Sequence, residues 1–210
     1  MAVDKNKFKT VTQLVIDKLE GGYYNPAWHN KGSLYSSSGE TMFGIDRVAG
    51  GSINDTTAGK KFWGIIDKVK TPQTWKWNYK GGDLAPQLKD LVVEIMYPVY
   101  ENNAKNYLDP QTKAIVDNDN RLLFHFIYAS WNGSGWFKKF ANDMDKAVSS
   151  GITDTDKLSQ IAIDSRTKEG LKSGSKPNTL IAQGGKKIAD LFSSLKDVAK
   201  QTEEVVKKTL

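Results

Sequence analysis

The sequence predicts an α+β fold, mainly α-helical with one small β element, and three patterns carry that prediction. Apolar residues recur at i, i+3 and i+4 spacing in several long stretches, which places them on one face of a helix. Thr41-Met42-Phe43 is the best strand candidate, and it sits in a glycine- and serine-rich region. The chain has no cysteine, so no disulfide framework can replace a hydrophobic core, and its 210 residues are enough to bury one.

In chain order, residues 4–20 are expected to form the first helix, with Asp4 as its cap and Val11, Leu14, Val15 and Leu19 on its apolar face. Gly21-Gly22 would supply a residue of positive φ just past its end, making Glu20 the last helical residue. A carboxylate there faces the negative end of the helix dipole and lies three residues from Asp17, and both effects favour its protonated form. Residues 23–46 should form the β element and its loops, with Trp28, His29 and Tyr35 on the long loop as sugar contacts or as pins holding the loop to the core. Turns at Gly50-Gly51 and Gly81-Gly82 flank a segment in which Trp75, Trp77 and Tyr79 alternate, as on an extended stretch with one aromatic face that packs inward or stacks on sugars.

From Asp83 the pattern turns helical, with Pro86 in the first turn and Leu88, Leu91, Val92, Ile95, Met96 and Val99 in register; Pro98 is expected to kink or interrupt this helix. Leu122 to Trp131 is apolar nearly all round, as a central buried helix is, and His125 on it reads as a satisfied core histidine. Asn132-Gly133-Ser134-Gly135 ends that helix. Trp136, Phe137, Phe140, Met144 and Val148 begin an amphipathic one, and Thr153-Asp154 caps another carrying Leu158, Ile161 and Ala162, with Arg166 near its end. Lys168 to Lys176 reads as a loop, and from Leu180 apolar residues approach heptad spacing.

The net charge of +6 suits an anionic partner, but only three arginines are present and the lysines are dispersed, which argues against sequence-specific nucleic-acid readout. Two histidines and no cysteine argue against a metal centre, so no cofactor is expected and any catalysis falls to carboxylates. No run is apolar and long enough to span a membrane, and Met1-Ala2-Val3-Asp4-Lys5 lacks the apolar segment of a signal peptide. Synthesis in the cytoplasm is therefore expected.

Glu20-Gly21-Gly22-Tyr23 followed by Gly39-Glu40-Thr41 and Gly44-Ile45 resembles the signature of phage endolysin muramidases of glycoside hydrolase family 108. The resemblance implies a lysozyme-like domain that cleaves the N-acetylmuramic acid–N-acetylglucosamine bond of peptidoglycan, with Glu20 as general acid. It also places Glu40 and Thr41 beside that acid, and an Asn-x-Gly turn such as that of Asn132 after the apolar helix that crosses the cleft. Tyr24, Trp28, His29, Tyr35 and Asn132 are then the expected substrate contacts. Family members join the two blocks by a short loop containing an aspartate, whereas residues 25–37 here hold no acidic residue, which leaves Glu40 as the best candidate for a second carboxylate or, alternatively, as a structural hydrogen-bonder to the strand and loop backbone.

The expected organisation is a peptidoglycan-cleaving domain over residues 1–195 and an amphipathic helical tail over residues 196–210. The resemblance implies a protein made in the host cytoplasm that reaches the cell wall after release by a lysis partner or as part of a phage particle, where the tail would dock on virion proteins. Three other readings remain open on sequence: a lytic transglycosylase using the same glutamate, a catalytically silent wall-binding or virion protein, and a basic helical nucleic-acid binder.

Overall fold

A computed structural model describes residues 2–29, 39–48 and 50–172, and among these the protein is mainly α-helical with one two-stranded sheet. The described chain divides into two compact units, one of Asp4–Glu101 and one of residues 2–3 with residues 102–172.

In the first unit, α1 (Lys5–Lys18) is capped by the Asp4 carboxylate, which accepts the Lys7 amide at 2.8 Å. Its buried face is Phe8, Val11, Thr12, Val15 and Ile16, so the stripe is rotated from the expected one and leaves Leu14 and Leu19 only half-buried. The fully buried Phe8 meets the α4 rings of Tyr97 and Tyr100, with centroids 5.1 and 5.5 Å away. Truncating a buried ring of this kind costs about 3–5 kcal/mol. The sheet is a hairpin of β1 (Thr41–Met42) and β2 (Ile45–Asp46), pairing Thr41 with Asp46 and Met42 with Ile45. Its two-residue turn takes positive φ at both Phe43 (49°) and Gly44 (72°), the mirror-image turn that suits the twist of paired strands. Phe43 tolerates that backbone because its ring is fully buried.

After a single turn of helix, α2 (Ser52–Asp55), comes α3 (Thr57–Val69), capped by the Thr56 hydroxyl and burying Phe62, Trp63 and Ile66. The sequence reading gave this region only turns. Residues 71–80 do not form an extended aromatic face: Trp75 is buried and Trp77 is 41% exposed, and between Trp77 and Tyr79 the chain takes positive φ at Asn78. A short 3₁₀ turn (Gly82–Leu84) leads into α4 (Ala85–Tyr107). This helix continues through Pro98, so of the kink or interruption expected there the interruption does not occur. Pro98 is on the exposed side, where water can satisfy the carbonyl that its missing N–H leaves free.

The second unit packs α5 (Pro110–Asn118), α6 (Asn120–Trp131), α7 (Ser134–Ser149) and α8 (Thr155–Lys172). As expected, α6 is the central helix, with Leu122 to Ile127 all buried. Asp119 caps it through the Arg121 and Leu122 amides and also binds the Arg121 guanidinium, which reaches Asp156 at the start of α8. Asp154 caps α8 through the Lys157 amide, and that helix continues into the stretch expected as a loop. The α5 helix, opened by Asp109-Pro110, was not anticipated. His125 is buried as expected but unsatisfied, with no hydrogen-bond partner for either ring nitrogen among the described residues. Burial, and then the nearby Arg166 charge, hold its imidazole well below the usual value and therefore neutral near pH 7. Arg166 is itself 5% exposed, stacked on Tyr128 and Phe140 at 4.4 and 4.8 Å.

No described helix is long and apolar enough to cross a membrane. The tail over residues 196–210 and the heptad-like stretch from Leu180 lie outside the described residues.

Candidate active site around Glu20

The helix that should end at Glu20 stops at Lys18, and Leu19 caps it by donating its amide to the Val15 carbonyl at 2.9 Å. Glu20 donates its own amide to the same carbonyl at 3.3 Å and lies just past the helix. Neither Gly21 nor Gly22 takes positive φ. Gly22 is required for another reason: a Cβ there would lie 2.4 Å from the carbonyl oxygens of both Asn78 and Tyr79. The backbone is that close because residues 21–24 are laced between two other segments. The Tyr23 amide donates to Tyr79 O (2.8 Å) and the Asn78 amide to Tyr23 O (2.9 Å), while Tyr24 and Thr41 exchange two bonds of 2.8 Å. Phe43 adds an amide bond to Gly21 O at 3.1 Å, and the Asn78 side chain accepts the Gly22 amide at 2.7 Å. Glu20 thus emerges from a helix end directly before a segment fixed on both sides.

The Glu20 residue is half-buried, and its carboxyl accepts no hydrogen bond from the described residues. Burial therefore pushes it up to about 7, opposed only by the Lys80 charge. The direction is the expected one, but the cause is burial and not the neighbouring Asp17. Lys80 contributes a second contact, its Nζ donating to the Glu20 backbone carbonyl at 2.8 Å.

Glu40 is 9% exposed, and its surroundings have the opposite effect. Its Oε1 accepts from the Tyr23 hydroxyl (2.5 Å) and from Lys70 Nζ (2.6 Å), and its Oε2 from Arg47 (2.6 Å). Asp67 closes the network through ion pairs with Arg47 (2.5 Å) and Lys70 (2.7 Å). Burial alone would raise the Glu40 carboxyl, but the bonds from Lys70, Tyr23 and Arg47 outweigh it and hold it below the ordinary value. Hydrogen bonding by Arg47 holds Asp67 at about 2. Arg47 also stacks on Trp63 at 4.9 Å. Glu40 is consequently an ionised, fully engaged carboxylate.

Thr41 carries a buried hydroxyl with no hydrogen-bond partner among the described residues. Tyr24 is buried, with its ring 6.0 Å from that of His29, and Trp28 lies 5.8 Å from Tyr23. His29 Nδ1 accepts the Asn25 amide at 3.0 Å, and Asn25 Oδ1 accepts the Ala27 amide, closing a tight turn. In the described geometry Trp28 and His29 pin the chain to Tyr23 and Tyr24. Tyr35 lies outside the described residues. Asn132 belongs to the second unit, where it ends α6 and donates from its side chain to Tyr128 O at 2.7 Å. Sequence reasoning missed Arg47, Asp67, Lys70, Asn78 and Lys80, which reach the two glutamates and their flanks from distant positions with no local spacing to announce them. No group of three or more potential ligands fit to hold a metal ion occurs among the described residues.

Comparison of the chain with protein-family models, curated proteins and solved structures finds no match.

Proposed function

We propose that this chain is a lysozyme-like enzyme that cleaves peptidoglycan glycan strands, with Glu20 as the general acid. The observation that carries this reading is a carboxyl pushed by burial to about 7, on a rigidly laced segment after a helix end. Such a group keeps a protonated fraction at neutral pH, and its conjugate base is strong enough to take a proton back. It would donate a proton to the glycosidic oxygen as the bond to the anomeric carbon breaks. The resemblance of Glu20-Gly21-Gly22-Tyr23 and Gly39-Glu40-Thr41 to the endolysin muramidases supports the substrate class. Thr41, Tyr24, Trp28 and His29 would border the sugar, and the unsatisfied Thr41 hydroxyl would position a sugar group or a water.

The engagement of Glu40 by three donors favours a second reading of the reaction type. A carboxylate held in that way is a poor base or nucleophile, so a lytic transglycosylase route needs only Glu20. The muramoyl C6 hydroxyl would attack the anomeric carbon, the leaving sugar would take the Glu20 proton, and Glu20 would recover a proton from the attacking hydroxyl. Mass spectrometry of digested wall decides between the two: anhydro-muramoyl ends mark the transglycosylase, and reducing ends bearing an added water mark the hydrolase. Intact wall after exposure to folded protein would refute both and leave a silent wall-binding protein. Delivery to the wall by a lysis partner or a phage particle goes with the same proposal.

A further inference from the structure

Lys80 touches the candidate acid without taking part in the motif that pointed to it. It lies in the segment whose backbone pairs with Tyr23, and it reaches Glu20 across 60 residues of sequence. Its Nζ bonds the Glu20 main-chain carbonyl at 2.8 Å and does not bond the carboxyl. The charge therefore acts on the acid through space while the hydrogen bond fixes the peptide that carries it. Two further observations make the placement a built one. Asn78 accepts the adjacent Gly22 amide at 2.7 Å from a positive φ of 62°, and Gly22 lies so close to this segment that a Cβ would fall 2.4 Å from the Asn78 and Tyr79 carbonyl oxygens. The charged groups around this cluster are Asp17 on α1, Lys80 itself and Lys89 on α4, and Lys89 is paired with Asp17.

We propose that Lys80 is a positioning residue for Glu20, its ammonium fixing the Glu20 peptide and opposing the burial of the carboxyl, and that it thereby sets the pH at which the site changes protonation state. The inference rests on the proposed acid role of Glu20 and adds what regulates it. Its sign follows from the charges. A cation favours the ionised carboxyl, so removing Lys80 must raise the Glu20 midpoint and keep the acid protonated to higher pH. Burial lowers Lys80 itself, with Asp17 and Glu20 opposing the shift and Lys89 adding to it. Because Lys80 keeps contact with solvent despite that partial burial, its through-space effect is screened by salt.

The test is a carbon-13 NMR titration of the Glu20 carboxyl in the full chain, for the native protein, Lys80→Met and Lys80→Arg, alongside the pH profile of wall clearing. Lys80→Met should move the Glu20 midpoint upward by at least about half a unit, shrinking at high salt, and Lys80→Arg should restore it. The alkaline limb of clearing should move with it. An unmoved midpoint in folded Lys80→Met, or equal shifts in both variants, would overturn the proposal. The titration needs no substrate, so a protein that never clears walls would refute the enzymatic reading while still reporting on Lys80.

Discussion

Glu20 and Glu40 belong to the same compact unit, and each is approached by a lysine from a distant part of the chain, yet their surroundings shift them in opposite directions. Lys70 bonds the Glu40 carboxylate itself, together with Tyr23 and Arg47, whereas Lys80 bonds only the Glu20 backbone. Burial disfavours charge at both sites. It prevails at Glu20, where no described donor reaches the carboxyl, and it is overcome at Glu40 by direct hydrogen bonds. A buried carboxylate with its acceptors filled serves the fold, and one left without donors is poised for proton transfer.

The largest expected effect separates the two by function. Glu20→Gln should lower wall clearing by about two to four orders of magnitude, in line with loss of a general acid, while leaving the circular dichroism spectrum unchanged. Stability should show the reverse asymmetry. Glu40→Ala removes the acceptor of the buried Tyr23 hydroxyl and leaves Arg47 and Lys70 sharing Asp67 alone, so urea unfolding should report a loss of about 1–3 kcal/mol. Glu20→Gln should gain at most about 3 kcal/mol at alkaline pH, because it abolishes the cost of ionising a half-buried acid.

The pH dependence of melting sharpens the contrast. The raised Glu20 favours the folded state fully below its unfolded value near 4.5, and that contribution disappears as pH rises through about 7. The depressed Asp67 and Glu40 stabilise at neutral pH, and their contribution is lost as pH falls from ordinary carboxylate values through that of Asp67, about 2. Glu20→Gln should flatten only the alkaline side of the curve and leave the acid side unchanged. The smallest effect is expected at Thr41. Thr41→Val removes a hydroxyl that has no partner, so unfolding free energy should change by less than about 1 kcal/mol while clearing falls. Equal losses in stability and clearing would show that Thr41 serves only the fold.

Much of the helical order was legible in sequence because local signals specify it. Asp4 and Asp154 cap their helices as expected, and the all-round apolar pattern of Leu122 to Trp131 marks the central helix. Glu20 was legible as a residue at a helix end, but not the reason for its ionisation, since burial is a property of the folded unit. The α3 helix carries its own local signals, the Thr56 cap and the Phe62, Trp63, Ile66 spacing, but the flanking Gly50-Gly51 and Gly81-Gly82 pairs give the region the look of turns. The Tyr23–Glu40–Arg47–Lys70–Asp67 network and Lys80 join positions far apart in the chain, and no periodicity encodes such pairings. Gly22 was recognised as necessary for the wrong reason: close backbone approach, not a left-handed turn, excludes a side chain there.

The contrast between the two glutamates is tested most directly by following both carboxyl carbons by NMR in one pH titration of the native chain. Glu20 should titrate with a midpoint at about 7, while Glu40 stays ionised until pH falls below its ordinary value of 4.5. A Glu20 midpoint in the ordinary carboxylate range, or a Glu40 that takes up its proton first as pH falls, would contradict the assignment of the acid.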